Sequence, residues 1–133
     1  MTELSGKRVL IVDDEPFMRR TIKAMLRVVG PFVTAEAGSG EDALVEVAAF
    51  KPDCILCDVG MAPMSGLDFV EKLRQLPEPA LRDTPVVMLT ADAAEATIHV
   101  AVRLKVSGYL VKPVTPKQLG ARLQIVLRSG HVA

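Results

Sequence analysis

Cys54-Ile55-Leu56-Cys57-Asp58 leads into Val59-Gly60-Met61-Ala62-Pro63, so a short apolar run stops abruptly at a carboxylate and passes into turn formers. Apolar runs of roughly four to eight residues with such boundaries suit strands covered on both faces, and an acid at the carboxyl end of one lies where open α/β sheets bind ligands. Val9-Leu10-Ile11-Val12-Asp13-Asp14 repeats the pattern with two acids. If the two strands are parallel neighbours, three carboxylates converge at one pole. Their mutual repulsion is costly unless a cation sits among them, and an all-oxygen set at a wet loop edge suits Mg²⁺.

Working outward, the chain alternates apolar runs with amphipathic stretches and shows no break in composition that would mark a linker. Glu15-Pro16 suits a helix start, followed by Met18, Ile22, Met25, Leu26 and Val29 at helical spacing and a stop at Gly30-Pro31. Thr34-Ala35-Glu36-Ala37 is short and weakly strand-like. Ser39 to Asp42 reads as a cap for Ala43, Leu44, Val47 and Ala48, and Lys51-Pro52-Asp53 ends that helix. Gly66 opens a third stretch, with Leu67, Val70 and Leu73 on one face and Pro77 and Pro79 closing it. Val86-Val87-Met88-Leu89 ends in Thr90-Ala91-Asp92. Ala93 to Lys105 carries Ile98, Ala101 and Val102 as a thin apolar stripe, and Gly108-Tyr109-Leu110-Val111 ends at Lys112-Pro113. Thr115, Pro116 and Gln118 fit a capping box with proline at the first helical position, before Leu119, Leu123, Val126 and Leu127.

Five βα units predict a doubly wound α/β domain with a parallel five-stranded sheet and five helices. In that fold every strand's carboxyl end lies at one pole, which gathers Asp13, Asp14, Asp58, Thr90 and Lys112. At 133 residues, half of them hydrophobic, the chain is long enough for one buried core. Sixteen acids balance sixteen lysines and arginines, leaving no net charge to attract nucleic acid or an anionic membrane, and no run of bases appears. Neither a signal sequence nor an apolar run of about 20 residues is present, so a cytoplasmic protein is expected. Cys54 and Cys57 are spaced like a redox or metal pair. On a strand, however, residues three apart face opposite ways, which makes them two small buried hydrophobes.

Acids that hold a metal, a hydroxyl, a lysine and one acid standing alone on its strand compose a phosphoryl-transfer site. Asp58 is the candidate nucleophile, Asp13 and Asp14 the metal ligands, Gly60 a further ligand through its backbone carbonyl, and Thr90 and Lys112 the partners of phosphoryl oxygens.

Asp13-Asp14, Asp58 through Gly66, Thr90-Ala91 and Tyr109 through Pro113 together resemble the receiver domain of two-component response regulators, over residues 6–128 with short tails at 1–5 and 129–133. The resemblance implies the flavodoxin-like strand order 2-1-3-4-5 and a stand-alone signalling switch rather than an enzyme. Asp58 would accept phosphate from a histidine kinase or a histidine phosphotransfer protein. Asp14, Asp58 and the Gly60 carbonyl would hold Mg²⁺ directly, Asp13 would act through water, and Thr90 and Lys112 would contact the phosphoryl group. Tyr109 would be the switch aromatic and the Lys112–Pro113 bond would be cis.

The family's proline four residues after the acceptor is here Ala62, with Pro63 next. Gly60 lacks the shielding side chain often found at its position, so Gly60 and Asp92 are the residues that would tune phosphoryl lifetime. Output would leave by the face of the fourth helix, fifth strand and fifth helix, through Ile98, Val102, Tyr109, Lys117 and Arg122, toward a downstream partner protein. His99 and His131 lie away from the acidic pole. Against a haloacid-dehalogenase-like phosphatase stands Gly60, where such enzymes carry a second Asp. The complete Asp, Thr and Lys set argues against a phosphate-independent scaffold, and the missing Gly-X-Gly-X-X-Gly against a dinucleotide site.

Overall fold

Each apolar run becomes a strand in the computed structural model, which describes residues 4–91 and 95–128. The strands are β1 (Arg8–Val12), β2 (Val33–Ala37), β3 (Cys54–Asp58), β4 (Val86–Thr90) and β5 (Gly108–Val111), all parallel, in the order β2-β1-β3-β4-β5. The helices are α1 (Pro16–Val29), α2 (Gly40–Phe50), α3 (Gly66–Leu73), α4 (Pro79–Arg82), α5 (Glu95–Arg103) and α6 (Pro116–Arg128). Six helices replace the five expected. Pro79, read as closing the third helical stretch, instead occupies the first turn of the short α4, where its missing N–H costs nothing.

β3 is central, and all five of its residues are buried. Successive strand side chains serve two cores. Leu10, Val12, Ile55, Cys57, Val86 and Met88 meet α2 and α3 on one face, while Val9, Ile11, Cys54, Leu56, Val87 and Leu89 meet α1 and α6 on the other. Cys54 and Cys57 thus lie on opposite faces, both fully buried free thiols, and burial pushes the Cys54 thiol up to about 12. β2, an edge strand of mixed exposure, needs little apolar character, which is why its sequence signal is faint.

Helix ends follow local chemistry, with a departure at Glu15. Ser39 Oγ accepts from Asp42 N, Ser65 and Asp68 form a capping box, and Thr115 and Gln118 form another. Glu15 makes no side-chain cap. Its amide donates instead to Asp13 Oδ1 at 2.9 Å, so the acid at the end of β1 organises the start of α1. On α3 the fully buried side chains include Phe69, which outranks the half-buried Leu67 as its core anchor. α5 buries Ala101 but leaves Val102 exposed.

Candidate phosphoryl-transfer site

Parallel register carries the polar strand ends to one edge of the sheet. Val12 pairs with Cys57, so Asp13 and Asp58 leave neighbouring strands together. Thr90 pairs with Val111, and the Lys112 amide donates to the Thr90 carbonyl at 2.7 Å, which sets Lys112 beside the acids. Asp13, Asp14 and Asp58 each present a carboxylate oxygen within 4.8 Å of the others.

The three acids differ in setting. Asp14 is exposed at the rim, whereas Asp13 and Asp58 are buried. Asp58 Oδ1 accepts from Lys112 Nζ at 2.8 Å, and Asp13 Oδ2 lies 3.6 Å from the same ammonium. That Asp13 oxygen is sealed from solvent and has no hydrogen bond. Burial pushes the Asp13 carboxyl above its ordinary range. The Glu15 amide and Lys112 oppose that shift, while Asp58 and Asp14 reinforce it. Burial works against the charge on Lys112, yet the hydrogen bond and attraction of Asp58, followed by the attraction of Asp13, carry its pKa above the ordinary lysine value. An unpartnered buried oxygen among three acids, answered by one lysine, is a donor set that fits a hard divalent cation.

The loop after β3 is shaped by its glycines. Gly66 donates to the Val59 carbonyl at 2.9 Å, and a Cβ at Gly66 would be driven into the Asp58 carbonyl and to 2.9 Å from its carbon. Only glycine permits that approach. Gly60 is open, since a Cβ there would meet only Asp58 Oδ2, at 3.9 Å. The Lys112–Pro113 bond is cis, and so is Ala62–Pro63, which the sequence did not suggest.

Thr90 is buried at the end of β4, and Tyr109 is exposed on β5. Ile98 is half-buried, Val102 and Lys117 are exposed, and Arg122 is half-buried against Gly108. Asp92 and His131 lie outside the described residues; His99 is exposed. Arg19, not singled out in the sequence, braces the site. Its Nη1 donates to the Asp13 carbonyl at 2.6 Å and its Nε to Glu36 at 3.1 Å. Its position one turn into α1, after the acidic pair, was the available signal.

A doubly wound sheet with an acid triad, a threonine and a lysine at its carboxyl pole defines a phosphoryl-accepting signalling domain in fold and chemistry. The family model for the response regulator receiver domain matches residues 9–124, and the chain belongs to that family. The chemotaxis protein CheY of Pseudomonas aeruginosa is 38% identical over 117 residues, covering 88% of this chain and 93% of that protein. The DNA-binding response regulator MtrA of Mycolicibacterium smegmatis is 35% identical over 92% of this chain and 51% of its own length. The chain spans about half the length of MtrA and of the ycf27 transcriptional regulators it also matches. Chemotaxis protein CheY4 of Vibrio cholerae superposes with a TM-score of 0.83 at 30% identity, over 92% of this chain and 99% of that one. Receiver domains of this family are signalling proteins, not enzymes of the ordinary kind. No helix among the described residues is long and apolar enough to cross a membrane.

Proposed function

We propose that this chain is a cytoplasmic phosphoreceiver: Asp58 takes a phosphoryl group from a histidine kinase or histidine phosphotransfer protein, and the change alters a docking face for a downstream protein. The observation that carries this reading is the pairing of Asp58 with Lys112 at 2.8 Å beside the unpartnered buried oxygen of Asp13. An Asp58 oxygen attacks the phosphorus in line, the nitrogen–phosphorus bond of the donor breaks, and the imidazole leaves with the electron pair. Asp14, Asp58 and the Gly60 carbonyl would hold Mg²⁺, with Asp13 acting through water. The ion supplies charge neutralisation for the incoming phosphoryl oxygens. Lys112 transfers its hydrogen bond from Asp58 to a phosphoryl oxygen, and the Thr90 hydroxyl donates to another. Tyr109 turns inward as Thr90 moves.

The face carrying Ile98, Val102, Tyr109, Lys117 and Arg122 then changes its affinity for a partner by about 1 to 3 kcal/mol, a typical coupling energy. Acetyl phosphate with Mg²⁺ tests the assignment. Intact mass is expected to show one added phosphoryl group on the wild type and none on Asp58→Asn; equal labelling of both would remove Asp58 from its role. Tyr109 is the only tyrosine in a chain with no tryptophan, so its fluorescence reports the switch directly.

A further inference from the structure

Asp14 is the one member of the acid triad that nothing holds by its side chain. It is exposed, and among the described residues no hydrogen bond or ion pair engages its carboxylate, yet an oxygen of that group stands within 4.8 Å of those of Asp13 and Asp58. Its reach is therefore set by its backbone, which begins at the peptide shared with Asp13. The carbonyl of that peptide accepts from Arg19 Nη1 at 2.6 Å. A charged donor makes this bond stronger than a neutral amide would.

Arg19 is itself held on two sides. Its amide donates to Glu15 O at 3.1 Å, and the Glu15 amide donates to Asp13 Oδ1 at 2.9 Å, so the first turn of α1 closes on Asp13 through side chain and backbone together. On β2, Glu36 lies opposite Ile11 in register; its Oε1 accepts from Arg19 Nε at 3.1 Å, and its Oε2 lies 3.6 Å from Lys23 Nζ. The guanidinium passes over Gly38, where a Cβ would stand 3.3 Å from Nη1 and crowd the bond to Asp13. Arg20, by contrast, is exposed and among the described residues pairs with no acid.

By charge alone an arginine this near opposes a bound cation, since like charges repel. Glu36 offsets that repulsion. What Arg19 contributes is geometry, because its planar fork spans the Asp13 carbonyl and Glu36 at once, as the single ammonium of a lysine cannot. Resting on the reading of the triad as a Mg²⁺ site, we propose that Arg19 is a positioning residue: aimed by Glu36, it fixes the Asp13–Asp14 peptide so that the Asp14 carboxylate joins the other two at the ion. A purely structural tie between β2 and α1 would bear on stability and leave the folded protein's affinity for Mg²⁺ unchanged. A pure charge effect would have the opposite sign, with Mg²⁺ binding more tightly once the arginine is gone.

The test is calorimetric Mg²⁺ titration of the whole chain at neutral pH, with the Asp14 amide shift followed in parallel and unfolding measured separately in EDTA. Arg19→Met keeps the apolar stem and removes the donors. It is expected to weaken Mg²⁺ binding by about tenfold or more, the range typical of groups that orient metal ligands, and to move the Asp14 amide before any Mg²⁺ is added. Arg19→Lys keeps the charge and should recover only part of the loss. Glu36→Gln should weaken binding less than Arg19→Met does, and more at low salt than at high, because it leaves the arginine both unaimed and unanswered in charge. Arg20→Met removes an equal charge one residue on and should not weaken binding. If Arg19→Met fails to fold, Arg19→Lys and Glu36→Gln carry the same comparison. Unchanged affinity in folded Arg19 variants would overturn the proposal, as would tighter binding or an equal loss in Arg20→Met. Wild type that takes up no Mg²⁺ would refute the reading of the triad, whereas wild-type binding that is indifferent to Arg19 refutes only the positioning role.

Discussion

Asp13 holds a conflict within one side chain. Oδ1 is satisfied by the Glu15 amide, while Oδ2 is buried, unbonded and 3.6 Å from the Lys112 ammonium. Its carboxyl titrates above the ordinary 3.8 chiefly because of burial. The folded protein therefore keeps this proton to a higher pH than the unfolded chain does. Stability from the neutral acid is present below 3.8 and is lost as pH rises through the raised folded value. Asp13→Asn should accordingly melt higher than the wild type at neutral pH in EDTA, by about 1 kcal/mol or a few degrees. That advantage should fade as pH falls toward 3.8, and thermal melts across pH would check both its sign and its loss. Gly60 is the other single-residue lever. The space over Asp58 Oδ2 admits a side chain, and one that covers the acyl phosphate should exclude attacking water. Gly60→Asn is expected to lengthen phosphoryl lifetime several-fold, up to about tenfold or 1.4 kcal/mol of barrier, as read by the decay of intact mass. A shorter lifetime would contradict it.

At the scale of elements, α5 shows how a helix end can be held by a distant side chain. It buries Ala101, and its carboxyl end is held from outside by Arg74. The Arg74 guanidinium, just past α3, donates to Leu104 O at 2.9 Å, to Arg82 O at 2.8 Å and to Thr84 O at 2.7 Å, with Lys105 O at 3.3 Å. One side chain thus ties α3, the turn before β4 and the end of α5. Burial lowers its pKa, with Asp83 opposing, yet an arginine stays charged. α3 begins at Gly66, pressed against the Asp58 carbonyl, and Arg74 just past its end reaches the base of α5, so the element that starts at Asp58 ends at α5. Arg74→Ala should cost about 2 to 4 kcal/mol, because it leaves several carbonyls without their charged donor. Hydrogen exchange should quicken at Leu104–Val106, and unchanged protection there would refute the clamp. Nothing in the local sequence singles Arg74 out, since its acceptors lie up to 31 positions away. Phe69 was legible in principle, four residues before Leu73 on the buried stripe. α4 was hidden because two prolines a residue apart read as a stop.

Across the whole molecule, the site was legible for a topological reason. Asp13, Asp58, Thr90 and Lys112 each follow or close an apolar run, and a parallel sheet leaves no freedom about which pole those ends share. What could not be read was how the pole is held: Arg19 beneath Asp13, Gly66 against Asp58, and the lysine's choice of Asp58 over Asp13 all depend on side-chain packing between distant segments. The same topology makes the site a property of the folded sheet alone. Four strand ends separated by tens of residues supply it, so the unfolded chain has no equivalent, and a cation that binds there binds the native state only. Mg²⁺ at about 100 times its dissociation constant should then raise unfolding free energy by about 2.7 kcal/mol. The gain should exceed what Na⁺ of equal ionic strength provides and should fall sharply in Asp14→Asn, whose exposed carboxylate completes the triad. Denaturant melts followed by Tyr109 fluorescence would measure it. A midpoint indifferent to Mg²⁺ would mean that the three acids and their orphaned oxygen are held together by Lys112 alone.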